Sequence, residues 1–142
     1  MKKFYLFSKD TKLRPLILAI DFDHTIASVH KDYPENTEPN ALLPGAKEVI
    51  NWASANNCTI ILWTCRTGKT LKQATDFLDK NEVHYDYVNE NIPELDFKTS
   101  NKIFANMYID DLNIGFKVDW KNIKKLIQKK LIIEEIIEKN KK

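Results

Sequence analysis

Leu16-Ile17-Leu18-Ala19-Ile20-Asp21-Phe22-Asp23-His24-Thr25 is the stretch on which the fold turns. The apolar run from Leu16 to Ile20 leaves no polar face, which suits a strand covered on both sides, as in a parallel sheet flanked by helices. It stops abruptly at Asp21. Two carboxylates one residue apart at a strand terminus can address a common point, and their mutual repulsion makes a cation there favourable. A turn or a helix cap would also use Asp21 and Asp23, but would not call for the apolar run ahead of them.

Working outward, two further apolar runs end in reactive side chains. Cys58 to Trp63 leads into Thr64, and Met107 to Ile109 leads into Asp110 and Asp111. Between the first two runs, Ala27 to Pro44 carries Pro34, Pro39 and Pro44 and predicts a loop or short hairpin. Gly45 to Asn56 then places Ala46, Val49, Ile50 and Ala53 on one helical face. After the turn from Thr64 to Gly68, Leu71, Ala74, Phe77 and Leu78 predict a second helix, followed by a short strand near Tyr85 to Val88. Asn89 to Lys98 is expected as loop. Asp119 to Lys139 is expected as a long closing helix, anchored by Trp120 and striped with Ile123, Leu126, Ile127 and Leu131. Strands alternating with helices predict a mainly parallel sheet with right-handed crossovers, in a single Rossmann-like α/β/α domain over residues 1–142. Ligands of such sheets gather beyond the carboxyl ends of the strands, the edge to which each run delivers its polar residue.

Bulk properties agree with one core: the chain has 142 residues, 43% of them hydrophobic. Net charge is only +2, from 22 basic and 20 acidic residues, with much of the basic excess near the two ends. That argues against a dominant phosphate-backbone surface and leaves nucleic acid as a substrate end only. Cys58 and Cys65 flank a predicted strand, too far apart along it to bridge, and read as free thiols of a reducing compartment, the cytoplasm. The apolar run Phe4 to Phe7 is too short for a signal-peptide core, and no later stretch predicts a membrane span.

Taken in order, D-F-D-H-T after an apolar strand, I-I-L-W-T, a downstream lysine and M-Y-I-D-D resemble the four motifs of the haloacid dehalogenase superfamily, over residues 16 to 115. The resemblance implies a magnesium-dependent phosphohydrolase. Asp21 would attack phosphorus to form an aspartyl-phosphate, and Asp23 would protonate the leaving group and later activate water. A covalent route of this kind divides hydrolysis into two easier displacements. Magnesium would be held by Asp21, Asp110 and the backbone carbonyl of Asp23, with Asp111 orienting a water ligand or the lysine. Thr64 would hydrogen-bond a phosphoryl oxygen. Lys102, favoured over Lys98, would offset the negative charge.

This sequence departs from the family in having His24 where a small residue, often glycine, is usual. A solvent-facing imidazole beside the site is expected there. Arg66 and Cys65 follow Thr64 and are expected at the site entrance, with Arg66 the better anion receptor because of its planar fork. Gly68-Lys69-Thr70 imitates the end of a phosphate-binding loop, but Trp63 stands where that motif needs its first glycine. A receiver module would need its acidic pair before the phosphorylated Asp, the reverse of the order here. A scaffold that keeps the fold and lacks turnover is the remaining rival. Insertions between the motifs are short, so no large cap domain is expected. Such an open site admits a phosphorylated small molecule or the phosphorylated end of a macromolecule, with His30, Lys31 and Tyr33 available from the loop above it. The chain would act as a monomer or homodimer.

Overall fold

The computed structural model describes residues 16–30 and 38–140. Lys31 and Tyr33, and the amino-terminal apolar run, lie outside the described residues. Four strands form one parallel sheet in the order β5-β4-β1-β6, and β1 (Leu16–Ile20) occupies an interior place in it. On one side β1 pairs with β4 (Cys58–Leu62), Leu16 opposite Cys58 and Ile20 opposite Leu62. On the other it pairs with β6 (Met107–Ile109), Leu18 opposite Met107. β5 (Tyr87–Val88) closes the far edge against β4. β5 is shorter than the expected Tyr85 to Val88: the Asp86 N–H still donates to the Ile60 carbonyl at 2.8 Å, but the Ile60 N–H goes to the Asp86 carboxylate at 2.8 Å and not to a backbone carbonyl.

The unbroken apolar character of β1 follows from its two covers. Leu16, Leu18 and Ile20 face α1 (Ala46–Ala55), α2 (Gly68–Lys80) and α3 (Trp120–Asn140), meeting Ile50, Leu78, Trp120 and Ile123. Ile17 and Ala19 face the opposite way, onto Ile61, Ile92, Ile103 and Ala105. The second cover is irregular chain from residues 89–106 rather than helix. Handedness accounts for the division: right-handed crossovers from β1 to β4 and from β4 to β5 put α1 and α2 on one face, and the return from β5 to β6 travels in the opposite direction and must cross the other face.

The proline-bearing segment forms the short hairpin expected of it, β2 (Ala27–Val29) antiparallel to β3 (Pro39–Leu42). Gly45 precedes α1 with φ of 83°, and a Cβ there would come within 3.1 Å of the Trp120 Cβ. Glycine is therefore required both by the backbone and by the close approach of α3. Among the described residues no helix is long and apolar enough to cross a membrane. Neither cysteine forms a disulfide; Cys58 is buried and Cys65 exposed.

Trp120 ties the closing helix to the reactive edge, since its indole N–H donates to the Thr25 carbonyl at 2.8 Å. Trp120→Phe keeps most of the apolar bulk and leaves that carbonyl unsatisfied. It should destabilise the protein by about 1–3 kcal/mol, read from the urea unfolding midpoint.

Candidate active site

Asp21 leaves β1 immediately after the last ladder residue, its N–H donating to the Ile109 carbonyl at 2.9 Å. That bond sets the start of the Asp21 loop beside the end of β6, from which Asp110 and Asp111 emerge. Carboxylate oxygens of Asp21, Asp110 and Asp111 all lie within 4.8 Å of one another, the only such grouping among the described residues. Each of these side chains is half-buried.

Thr25 holds the group together. Its hydroxyl lies 3.0 Å from one Asp21 oxygen and 3.4 Å from one Asp111 oxygen, and it accepts the Asp111 N–H at 3.0 Å. One hydroxyl proton cannot satisfy both carboxylates. Burial, followed by the charge of Asp110, pushes the Asp21 carboxyl from 3.8 up to about 8; the Thr25 hydrogen bond opposes this, and Asp111 adds to it. No cation counters it among the described residues: Lys98 and Lys102 are exposed, and neither forms an ion pair with the three carboxylates. The Lys102 ammonium instead rests 5.2 Å above the Tyr108 ring. An all-oxygen, anionic and under-compensated donor set of this kind could hold a small hard dication.

Asp23 does not belong to that group, because its carboxylate turns to Arg66. The guanidinium grips it with both prongs, Nη2 to Oδ1 at 2.7 Å and Nε to Oδ2 at 2.9 Å. Expected at the entrance as an anion receptor, Arg66 is instead 1% exposed. Its third nitrogen donates to the Thr70 carbonyl at 3.0 Å, and the guanidinium carbon lies 4.9 Å from the Phe22 ring centroid. A buried guanidinium needs an anion, and Asp23 supplies one. Cys65, the residue before it, is exposed as expected.

Thr64, two residues past β4, is fixed by Asn89, which sequence reasoning assigned no role. The Asn89 amide accepts the Thr64 N–H at 2.8 Å and donates to the Thr64 carbonyl at 3.0 Å. The Thr64 hydroxyl accepts the Arg66 N–H at 3.2 Å. Thr25 was also given no separate role, although its place as the closing residue of D-F-D-H-T signalled it. His24 is exposed with φ of 59°, the left-handed conformation that glycine adopts without strain. His30 is exposed at the end of β2.

The Gly68-Lys69-Thr70 stretch does open a helix, but as an ordinary cap. Thr67 and Thr70 satisfy each other in a capping box, and the Thr70 hydroxyl donates to the Thr67 carbonyl at 2.8 Å. The hydroxyl a phosphate-binding loop would turn to a metal is occupied, and Arg66 approaches the first turn from within.

Comparison with known proteins finds no matching family model and no matching curated relative. A solved structure of a conserved protein from Bacteroides thetaiotaomicron is similar, with 29% identity, a TM-score of 0.70, and coverage of 82% of this chain and 93% of that one. The two share a fold.

Two outcomes follow from these contacts. Arg66→Met strands the Asp23 carboxylate and the Thr70 carbonyl. It should cost about 2–3 kcal/mol in urea unfolding, less than a fully buried pair because the Asp23 side chain keeps 26% exposure. For Asp21 the folded-state value of about 8 lies above the unfolded 3.8. The folded protein then holds an extra proton in that window, so its stabilising effect is complete below the lower value and lost as pH rises through the upper. In chelator the unfolding midpoint should therefore fall between pH 5 and pH 8, and Asp21→Asn should flatten that slope.

Proposed function

We propose that the protein is a magnesium-dependent phosphomonoester hydrolase that works through an aspartyl-phosphate on Asp21. The observation that carries this is the convergence of Asp21, Asp110 and Asp111 within 4.8 Å at the carboxyl edge of a parallel sheet. The order of the sequence motifs, which resembles that of the haloacid dehalogenase superfamily, supports the same reading.

The division of labour follows from the side chains. A magnesium ion held by Asp21 and Asp110, and steadied through Asp111, would neutralise the crowded carboxylates and the phosphoryl oxygens. Asp21 then forms the bond to phosphorus while the bond to the leaving oxygen breaks. Asp23 would pass a proton to that oxygen and later take one from the water that attacks the phosphorylated Asp21, which requires one prong of the Arg66 grip to release its carboxylate so that it can carry the proton. Arg66 keeps the Asp23 carboxylate in one orientation through its two-pronged grip. Thr64 accepts a backbone N–H at its hydroxyl oxygen, which leaves the hydroxyl proton to donate to a phosphoryl oxygen. Neither Lys102 nor Lys98 is paired with the acidic group, and the Lys102 ammonium rests on the Tyr108 ring.

Substrates of this reading are phosphorylated small molecules or phosphorylated macromolecule ends. Release of phosphate from an aryl phosphate should require magnesium and stop in chelator. Asp21→Asn should lower kcat by about a thousandfold or more while circular dichroism stays unchanged. Undiminished turnover in that variant would refute the nucleophile. Magnesium binding by the wild type, measured calorimetrically, without turnover of any phosphoester would favour the scaffold instead.

A further inference from the structure

We propose that α3 is an interface between two copies of this chain, packed antiparallel about a two-fold axis. The inference is independent of the catalytic reading. The apolar residues of this single helix change face along its length. Trp120, Ile123 and Ile127 are 1–2% exposed and pack on the domain, with Leu131 at the margin of the same core. Beyond Leu131 no apolar side chain of the helix enters either core cluster. Yet Ile132, Ile133, Ile136 and Ile137 follow, between 41% and 56% exposed, and Leu126 upstream is 42% exposed. A continuous helix cannot turn this second surface back onto its own domain, because it lies about a quarter turn or more from the domain-facing stripe.

Charge and spacing indicate a second copy as the occupant. Every charged residue from Trp120 to Lys130 is lysine, and every one from Leu131 to Glu138 is glutamate. A parallel pair would set like charges against like, whereas an antiparallel pair sets the basic half of each helix against the acidic half of the other. Leu126, Lys130, Ile133 and Ile137 fall on one stripe with spacings of four, three and four, symmetric about the middle of the run. A two-fold axis there places Leu126 opposite the partner's Ile137 and lays the Lys130 stem over the partner's Ile133, as a self-complementary patch requires. Lys130 on that stripe and Glu134 at its border are already paired within the helix at 3.4 Å. The axis brings each beside its opposite on the other copy.

Sedimentation equilibrium of the full chain over a dilution series tests the pairing. The wild type should show twice the 16.6 kDa chain mass at the concentrated end. Ile133→Glu with Ile137→Glu should show the single mass at every concentration with unchanged helix content. Lys130→Glu and Glu134→Lys should each weaken association at least tenfold, and the double reversal should restore it, which a parallel pair would not do. A wild type that stays at the single mass throughout would overturn the proposal, whether residues 1–15 of the same chain cover the surface or nothing does. A dimer indifferent to the isoleucine substitutions, or to the single charge reversals, would overturn it equally.

Discussion

An unbalanced charge governs this molecule. Asp21, Asp110 and Asp111 are drawn within 4.8 Å of one another by strand pairing that has nothing to do with their charge. The Leu18–Met107 and Ile20–Ile109 register of β1 and β6 requires the next residue of each strand to emerge side by side. Hydrophobic burial of the strands holds that register, and the carboxylates accept its consequence. The Thr25 hydroxyl, a single proton shared between two acidic oxygens, is the local compensation. It is too little to offset burial and, after it, the charge of Asp110, which together push the Asp21 carboxyl up to about 8. A site that remains under-compensated in the folded chain is one poised to take a cation from solution.

The same reasoning explains why so much of the structure surrounds Thr25. The tight loop from Asp21 to Ala27 wraps the Phe22 carbonyl, which accepts the Ile26 N–H at 2.9 Å and the Ala27 N–H at 3.2 Å. Trp120 holds the Thr25 carbonyl from the start of α3, and Gly45 gives way to let that helix in. Elements more than ninety residues apart thus meet on one threonine whose other side touches two carboxylates. Stability and site geometry share these contacts, so a change at Trp120 would be felt at Asp21.

What the sequence made legible follows the range of each interaction. β1, β4 and β6 were readable because unbroken apolar runs ending in polar residues are a local pattern with one good structural explanation. α1 and α3 were found within a residue of their bounds, as amphipathic spacing and capping also act locally. Arg66 was misjudged for the opposite reason. Its neighbours in sequence, Cys65 and Thr67, are exposed, and nothing nearby announces that Asp23, forty-three residues upstream, will claim both prongs of its fork. Asn89 escaped notice likewise, since its grip on both backbone groups of Thr64 spans twenty-five residues of chain. Spacing alone favours Lys102, and spacing does not say that a tyrosine ring lies beneath the ammonium.

The burial of Arg66 also separates two kinds of chemistry that the sequence had left entangled. A phosphate-binding loop would need the chain after β4 to present N–H groups and a free hydroxyl outward, around an anion. Here that stretch spends its Thr70 hydroxyl on Thr67 and offers the Thr70 carbonyl inward to Arg66, so its polar groups are committed to one another. The guanidinium carries its positive charge towards Asp23 and not towards solvent. Reactive groups are therefore concentrated on the β1 and β6 side of the edge, and the β4 side supplies support: Thr64 held by Asn89, and Asp23 held by Arg66. An anionic substrate approaching this edge meets no exposed arginine from that loop. Under the proposed hydrolase reading, its attraction would come from a cation carried by the carboxylates themselves, which returns the whole arrangement to the crowding of acidic groups around Asp21.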